Sequence, residues 1–357
     1  KSIKMGENYR TLTETIKGRI NPENLLFNQR FRKELGSIAY DDVLVFIRYA
    51  MKAVEPEYTQ KSIDAGGRVK DHLTGGGLTY VDYRFQGSVM TNTHIRGYSD
   101  IDLLCLSSKF TTLARNEVNK YALAPNAIEL VGLNGLRRLN ETIENFIPYE
   151  GDSLNDLRTI RNSSENILSK VYSVYDFTKP KSIKITNTSL RRDVDVVTAN
   201  WYDDVRAIIY DGEINRGVEV YNKHLHSKES PDFPFISIDK INSRSKDTVG
   251  RLKKMIRFLK NLRELSKLEI DLSSYDINAI CYDIEVSKYQ NSTFIELVSV
   301  LYEQLKSLVT SQEHLDRIKS VDEREFIFKN KTNKVENLRL LLNEIYQISK
   351  DLHKQLV

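Results

Sequence analysis

Cysteine is scarce in this chain: two residues in 357, Cys105 and Cys281. Both lie in apolar runs, Leu103-Leu104-Cys105-Leu106 and Ile280-Cys281-Tyr282, and each is expected as a buried thiol. No CxxC pair and no Cys/His cluster occurs, which argues against a zinc site and a disulfide scaffold. The same economy fits a reducing compartment, and a cytoplasmic location is expected. No apolar run approaches membrane-spanning length and no signal peptide is visible, so no membrane association is expected. Charge of one sign is also in short supply. Lys and Arg number 53 against 49 Asp and Glu, a formal net charge of +4. That surplus suits local binding of small anions better than wrapping a long nucleic acid. No GxxxxGK[ST] occurs, which excludes a Walker-type P-loop. Internal repeats and low-complexity tracts are absent. His224 and His226, two apart with no partner in sequence, read as surface residues, and no Ser-His-Asp order is discernible.

What remains is an ordinary globular composition, 40% hydrophobic and 29% charged, at a length that suits two domains. Residues 1–35 are polar with scattered apolar positions. From Asp41 the apolar positions Val43, Leu44, Phe46, Ile47, Ala50, Met51 and Val54 recur at helical spacing, and Glu55-Pro56 ends that helix. A second helix is expected over 59–73, broken by Thr74-Gly75-Gly76-Gly77. Strands are expected over 81–86, 101–106, 182–186 and 191–199. Between 107 and 180 the pattern is mostly helical, with amphipathic pieces over 133–147 and 154–175. A short helix is expected near 212–225, with Pro231 and Pro234 in the loop after it. From Asp247 onward the pattern is almost wholly helical. The organisation is therefore an α+β lobe followed by a helical lobe, with a ligand site expected in a cleft between them.

The chemistry concentrates in one segment, Phe85-Gln86-Gly87-Ser88 followed by Asp100-Ile101-Asp102. Strand side chains alternate faces, so Asp100 and Asp102 share one face while Ile101, Leu103 and Cys105 share the other. Two carboxylates one pleat apart repel each other, and a divalent ion removes that cost. Oxygen-only ligands favour magnesium, with manganese as the alternative. Arg191-Arg192-Asp193-Val194-Asp195-Val196-Val197 repeats the device: Asp193 and Asp195 share a face. If the two strands are neighbours, three or four carboxylates converge, as a two-metal site requires. Gly87 allows a close backbone approach to an anion. The residues after Ser88 are expected to start a short helix whose N-terminus favours phosphate.

In this order the residues resemble the DNA polymerase β-like nucleotidyltransferase superfamily. More narrowly they resemble the CD-NTase family, the cGAS/DncV-like cyclic-oligonucleotide synthases of bacterial anti-phage defence. The likeness rests on Gln86-Gly87-Ser88, Thr93, Ser99-Asp100-Ile101-Asp102-Leu103 and Val194-Asp195-Val196-Val197. It implies a polymerase β-like core, a mixed sheet with helices, over 1–205, with N-terminal helices and a helical insertion near 107–180, and a helical C-terminal lobe over 206–357. It implies Asp100, Asp102 and Asp195 as catalytic metal ligands, Asp195 over Asp193 because an apolar pair follows it, with Asp193 still a candidate because it shares the face. It also implies Gln86, Gly87 and Ser88 as part of the substrate site. Met255-Ile256-Arg257-Phe258-Leu259-Lys260 resembles the helix whose lysine contacts the donor triphosphate. Ser273-Ser274-Tyr275-Asp276 resembles the segment whose serine contacts that triphosphate and whose tyrosine stacks on a base. Lys260, Ser274 and Tyr275 inherit those roles by resemblance. Spacing alone says less: Lys253, Arg257 and Lys260 line one edge of a helix, and a solvated basic face would do the same. Tyr275 by itself reads as a core tyrosine.

The implied activity is synthesis of a cyclic di- or trinucleotide messenger from ATP- or GTP-type substrates, sensed by a downstream effector. The Cys/His insertion with which animal relatives engage DNA is missing, so no nucleic-acid activator is expected. Two other readings fit some of the same residues: a template-independent nucleotidyltransferase acting on RNA 3′ ends, and a catalytically silent nucleotide-binding scaffold.

Overall fold

The computed structural model describes residues 9–18, 42–95, 97 and 100–356. Asp41, Ser99 and most of 1–35 lie outside the described residues. Two compact units divide the chain. One is formed by Pro56–Met90 and Asp100–Asp239, the other by the described parts of Lys1–Glu55, Thr91–Ser99 and Lys240–Val357. The boundary expected at 205/206 therefore falls at 239/240. No helix among the described residues is long and apolar enough to cross a membrane.

The first unit is built on a mixed sheet of seven strands: β1 (Val81–Gln86), β2 (Ile101–Leu113), β3 (Tyr175–Asp176), β4 (Ile183–Asn187), β5 (Arg192–Asp203), β6 (Gly217–Asn222) and β7 (Ser227–Lys228). The order is β1-β2-β5-β4-β3, with β6 on the far half of β5 and β7 on β6. Only β2 and β5 run parallel; the other pairs are antiparallel. Strand β2 continues seven residues beyond the expected 101–106, through a register shift between Ser107 and Thr111.

The helix expected near 212–225 is instead a 3₁₀ turn, Glu213–Asn215, followed by β6. Valine at 218 and 220 suits a pleated surface, and Val218 and Tyr221 are buried. Strands β6 and β7 thus extend the sheet. Pro234 is not in a loop: it is the first residue of the helix Pro234–Asp247, where a missing N–H costs nothing. Pro56 opens the helix Pro56–Gly75 in the same way.

The helix Pro56–Gly75 and the helix Ser153–Val171 cover one sheet face. Ala65, Val69, Leu73, Ile160 and Leu168 meet Ile101, Leu103, Cys105, Val194 and Val196. Each fully buried aliphatic chain of this kind contributes roughly 1.5–3 kcal/mol. On the other face Leu104, Leu106, Val197, Ala199 and Trp201 form a second cluster. Cys105 and Cys281 are both buried free thiols, and burial pushes both thiol pKa values up.

The second unit centres on the helix Arg251–Leu265. Its expected stripe, Leu252, Met255, Ile256, Leu259 and Leu262, is fully buried. The stripe packs in one core with Val43, Phe46 and Ile47 of the helix Asp42–Met51, Ile277 and Ile280 of Ser274–Asp283, Leu301 and Leu305 of Glu296–Thr310, and Leu341 and Ile345 of Thr332–Leu356.

Candidate active site

Parallel neighbours begin at the same sheet end, so β2 and β5 bring their first residues side by side. Asp102 stands opposite Asp195, and Ile101 opposite Val194. Pleating keeps Asp100, Asp102, Asp193 and Asp195 off the face that carries Ile101, Leu103, Val194 and Val196. Strand β1 runs antiparallel to β2 and ends at the same place, with Gln86 opposite Asp102.

Gly87 follows at φ +85°, and a Cβ there would lie 2.3 Å from Asp102 Oδ2. The close approach expected toward a phosphate is made, within the described residues, toward this carboxylate. Left-handed φ and lack of space both demand glycine. Gly87→Ala is therefore expected to displace the Asp102 carboxylate and to remove nucleotide turnover, with circular dichroism unchanged. A steady-state rate near wild type would show that the turn adapts. Over the described residues 88–95 no helix starts. The chain makes a turn closed by Met90 N–H donating to the Gly87 carbonyl at 3.2 Å.

The electrostatics are unbalanced. Desolvation, then the charges of Asp195 and Asp100, push the Asp102 pKa up to about 7. Desolvation raises Asp195 as well, against the opposing pull of Lys179. Lys184 stands opposite Asp195 on β4, and its ammonium donates to Asp100 Oδ2 at 2.8 Å and lies 3.0 Å from Asp193 Oδ2. Burial works against that charge, but the bonds to Asp100 and Asp193 outweigh it and raise the Lys184 pKa. Lys179 Nζ reaches Asp195 Oδ1 at 3.3 Å, and Ser182 Oγ donates to the same oxygen at 3.4 Å. Thr186 Oγ1 donates to Asp193 Oδ1 at 2.7 Å.

Among the described residues no three His, Cys, Asp or Glu side chains stand ready to hold a metal ion. The convergent carboxylate cage expected from sequence is thus not preassembled: Lys184 and Lys179 are paired with three of its four carboxylates, Asp100, Asp193 and Asp195. The donor set itself fits a hard divalent cation. All donors are carboxylate oxygens from one sheet end, and Asp102 is desolvated among like charges.

In the helical unit, Lys260 is 1% exposed and Arg257 is buried beside it, so neither forms a solvated basic face. Arg257 Nε donates to the Met51 carbonyl and Asn261 Nδ2 to that of Ala50, each at 2.9 Å. They satisfy the last turn of the helix Asp42–Met51. Arg257 Nη1 also donates to the Asn92 carbonyl at 2.7 Å, and Lys260 Nζ to Thr93 Oγ1 at 3.5 Å. Burial, then Arg263, lowers the Lys260 pKa to about 7. Ser274 opens the helix Ser274–Asp283 behind a capping box of Ser273 and Asp276. Tyr275 is partly buried against the core, and its hydroxyl donates to Asp322 Oδ1 at 3.2 Å.

Three features escaped the sequence. Lys179 and Lys184 lie in a polar stretch with no motif. Arg161, fully buried, donates from Nη2 to the carbonyls of Lys179 (3.0 Å) and Phe177 (3.4 Å) and from Nε to Glu165 (2.7 Å). The helical insertion thereby fixes the segment from which Lys179 and Ser182 reach Asp195. Ser307, His314 and Asp283 do meet: His314 Nε2 lies 2.6 Å from Asp283 Oδ2, and Nδ1 2.8 Å from Ser307 Oγ. This contact ties three helices together. His226 is bonded to the Tyr221 hydroxyl at 2.8 Å, while His224 is exposed.

A mixed sheet whose two parallel strands begin with carboxylates beside a Gly-Ser turn, accompanied by a separate helical unit, defines a nucleotidyltransferase. Residues 239–350 match the cGAS/DncV-like nucleotidyltransferase C-terminal helical domain. The c-di-GMP synthase of Capnocytophaga granulosa is 48% identical over 98% of this chain and 99% of its own length. That of a Lachnospiraceae bacterium is 41% identical over 97% and 99%. Among solved structures, the STING-associated CdnE c-di-GMP synthase from Capnocytophaga granulosa superposes with a TM-score of 0.80 at 45% identity, covering 98% of this chain and 100% of that one. The STING-associated enzyme from Flavobacteriaceae sp. gives 0.87 at 34% identity, covering 98% and 99%. This chain belongs to the cGAS/DncV-like nucleotidyltransferases, the CD-NTase family, and is a cyclic-oligonucleotide synthase with a polymerase β-like core and a helical C-terminal lobe.

Proposed function

We propose that this chain condenses two GTP molecules into cyclic di-GMP, and that the product signals to a STING-type effector in bacterial anti-phage defence (CBASS). The reading rests on one observation above all: near-full-length identity of 48% and 41% to two c-di-GMP synthases. The STING association of two solved relatives supports the effector.

Asp100, Asp102 and Asp195 would hold magnesium, with manganese as an alternative; when bound, the ion would supply neutralisation of triphosphate charge and a lowered pKa of the attacking hydroxyl. In the sheet unit, Gly87 keeps the backbone tight against Asp102 while Gln86 and Ser88 border the carboxylates on the β1 side. In the helical unit, Lys260 and Ser274 serve as phosphate ligands and Tyr275 as a base-stacking surface. A ribose hydroxyl of one GTP forms a bond to the α-phosphorus of the other. The bond from that phosphorus to the bridging oxygen breaks, pyrophosphate departs, and the hydroxyl proton is lost to solvent. A second round closes the ring. The protein's contribution is positioning and charge neutralisation.

Purified protein incubated with each ribonucleoside triphosphate alone and in pairs, with magnesium and then manganese, tests this by mass spectrometry. GTP alone should yield cyclic di-GMP with two pyrophosphates per product. A product requiring a second base removes the GTP assignment. Nucleotide incorporation only into added RNA would favour the tailing reading instead.

A further inference from the structure

The sheet end carries four carboxylates on one face, and the proposed metal set uses three of them. Two lysines are bonded into the cluster, Lys184 to Asp100 and Asp193, Lys179 to Asp195. Among the described residues no lysine is hydrogen-bonded to Asp102. We infer that Lys184 is a built-in counter-ion: it holds Asp100 in the metal-free protein and hands that carboxylate to the divalent cation, staying on Asp193. This inference rests on the metal-binding role proposed for Asp100, Asp102 and Asp195.

The geometry carries it in three respects. Lys184 springs from β4 directly across from Asp195, so its attachment point lies inside the cluster. Its ammonium lies within 3.0 Å of two carboxylates from different segments, so giving up one leaves the other in place. Asp193 is anchored independently by Thr186, from the position facing it on β4. A hard dication and an ammonium compete for the same Asp100 oxygen, and each is disfavoured beside the other. Asp193 is then the resting place of Lys184 and no metal ligand, which accounts for the fourth carboxylate. Lys184 is in these terms a positioning residue. By linkage, whatever Lys184 gains from Asp100 is subtracted from the metal's affinity.

Manganese binding to the full chain, without nucleotide, read by electron paramagnetic resonance of the free ion, tests the exchange. Lys184→Met should bind manganese more tightly than wild type by roughly fivefold or more, the lower range of ordinary coupling between linked equilibria. Lys184→Arg keeps the charge and should bind no more tightly than wild type. Lys181→Met is the control for the general field: Lys181 pairs with Glu229 at 2.9 Å and should leave affinity unchanged. In chelator, Lys184→Met should melt lower than wild type and gain more on adding manganese. Equal affinities for wild type and Lys184→Met, or an equal gain in Lys181→Met, would sink the exchange and leave the metal role intact. Failure of wild type to bind manganese at all would remove both.

Discussion

Asp102→Asn should lower nucleotide turnover by at least about a thousandfold, the scale of a single charge-stabilising group in phosphoryl transfer, and should stabilise the metal-free protein at pH 8. The two effects share one cause. Asp102 is desolvated and faces Asp195 and Asp100, which raise its pKa from 3.8 to about 7. Above that value the native state carries a carboxylate it accommodates poorly, while the unfolded chain carries one at little cost. A raised acid binds its proton more tightly in the native state. Stability from this group is therefore present at low pH and is lost as pH rises from about 4 to about 7, a loss on the order of a few kcal/mol. Asparagine has no charge to lose. In chelator, the melting temperature of wild type should fall over that window and that of Asp102→Asn should not. The gap should close near pH 4. Parallel curves would mean that Asp102 is already compensated. Wild-type turnover in the variant would end its role in catalysis.

Lys260→Met should be stabilising at neutral pH and, on the proposed role of Lys260, damaging to binding of the proposed substrate GTP. Lys260 is buried, with the Thr93 hydroxyl 3.5 Å away, and desolvation lowers its pKa from 10.5 to about 7. For a base depressed in the native state, the stability contribution is complete above the unfolded value and is lost as pH falls through about 7. At pH 7 the penalty is on the order of a few kcal/mol, and a methionine of similar reach avoids it. The stability gain of the variant should shrink as pH rises toward 10. If the ammonium holds a phosphate of GTP, losing that charged hydrogen bond should weaken binding by roughly ten- to a hundredfold, from ~1.5–3 kcal/mol. Melting curves against pH read the first effect, and the KM for GTP the second. An unchanged KM with raised stability would make Lys260 a core lysine. Greater stability bought with lost function is the expected signature of a binding group held under desolvation.

The parts that were legible in sequence are those set by neighbours along the chain. Alternation placed Asp100 with Asp102 and Asp193 with Asp195. Helical spacing placed Leu252, Met255, Ile256, Leu259 and Leu262 in a core, where all five are buried. The motif order around Gly87 marked the sheet end before its geometry was known. The departures have causes that lie outside the local segment. Gly217–Asn222 is a strand because it finds the far half of β5 as a partner, and nothing inside that segment announces the partner. The same pairing moves the division of the chain from 205 to 239, since β6 and β7 belong to the sheet. The turn after Ser88 replaced a helix whose start signal was weak.

Residue order alone determined which side chains share a face and which positions must be apolar, because pleat and helical pitch act over a few residues. Tertiary structure decided that β5 lies parallel beside β2, so that Asp195 faces Asp102, and that Lys184 bonds across 84 positions to Asp100. Strand register and burial arise between segments far apart in the chain, and electrostatic balance depends on both. The charge state of Asp102 and the lysines that border it were therefore visible only once the sheet was assembled.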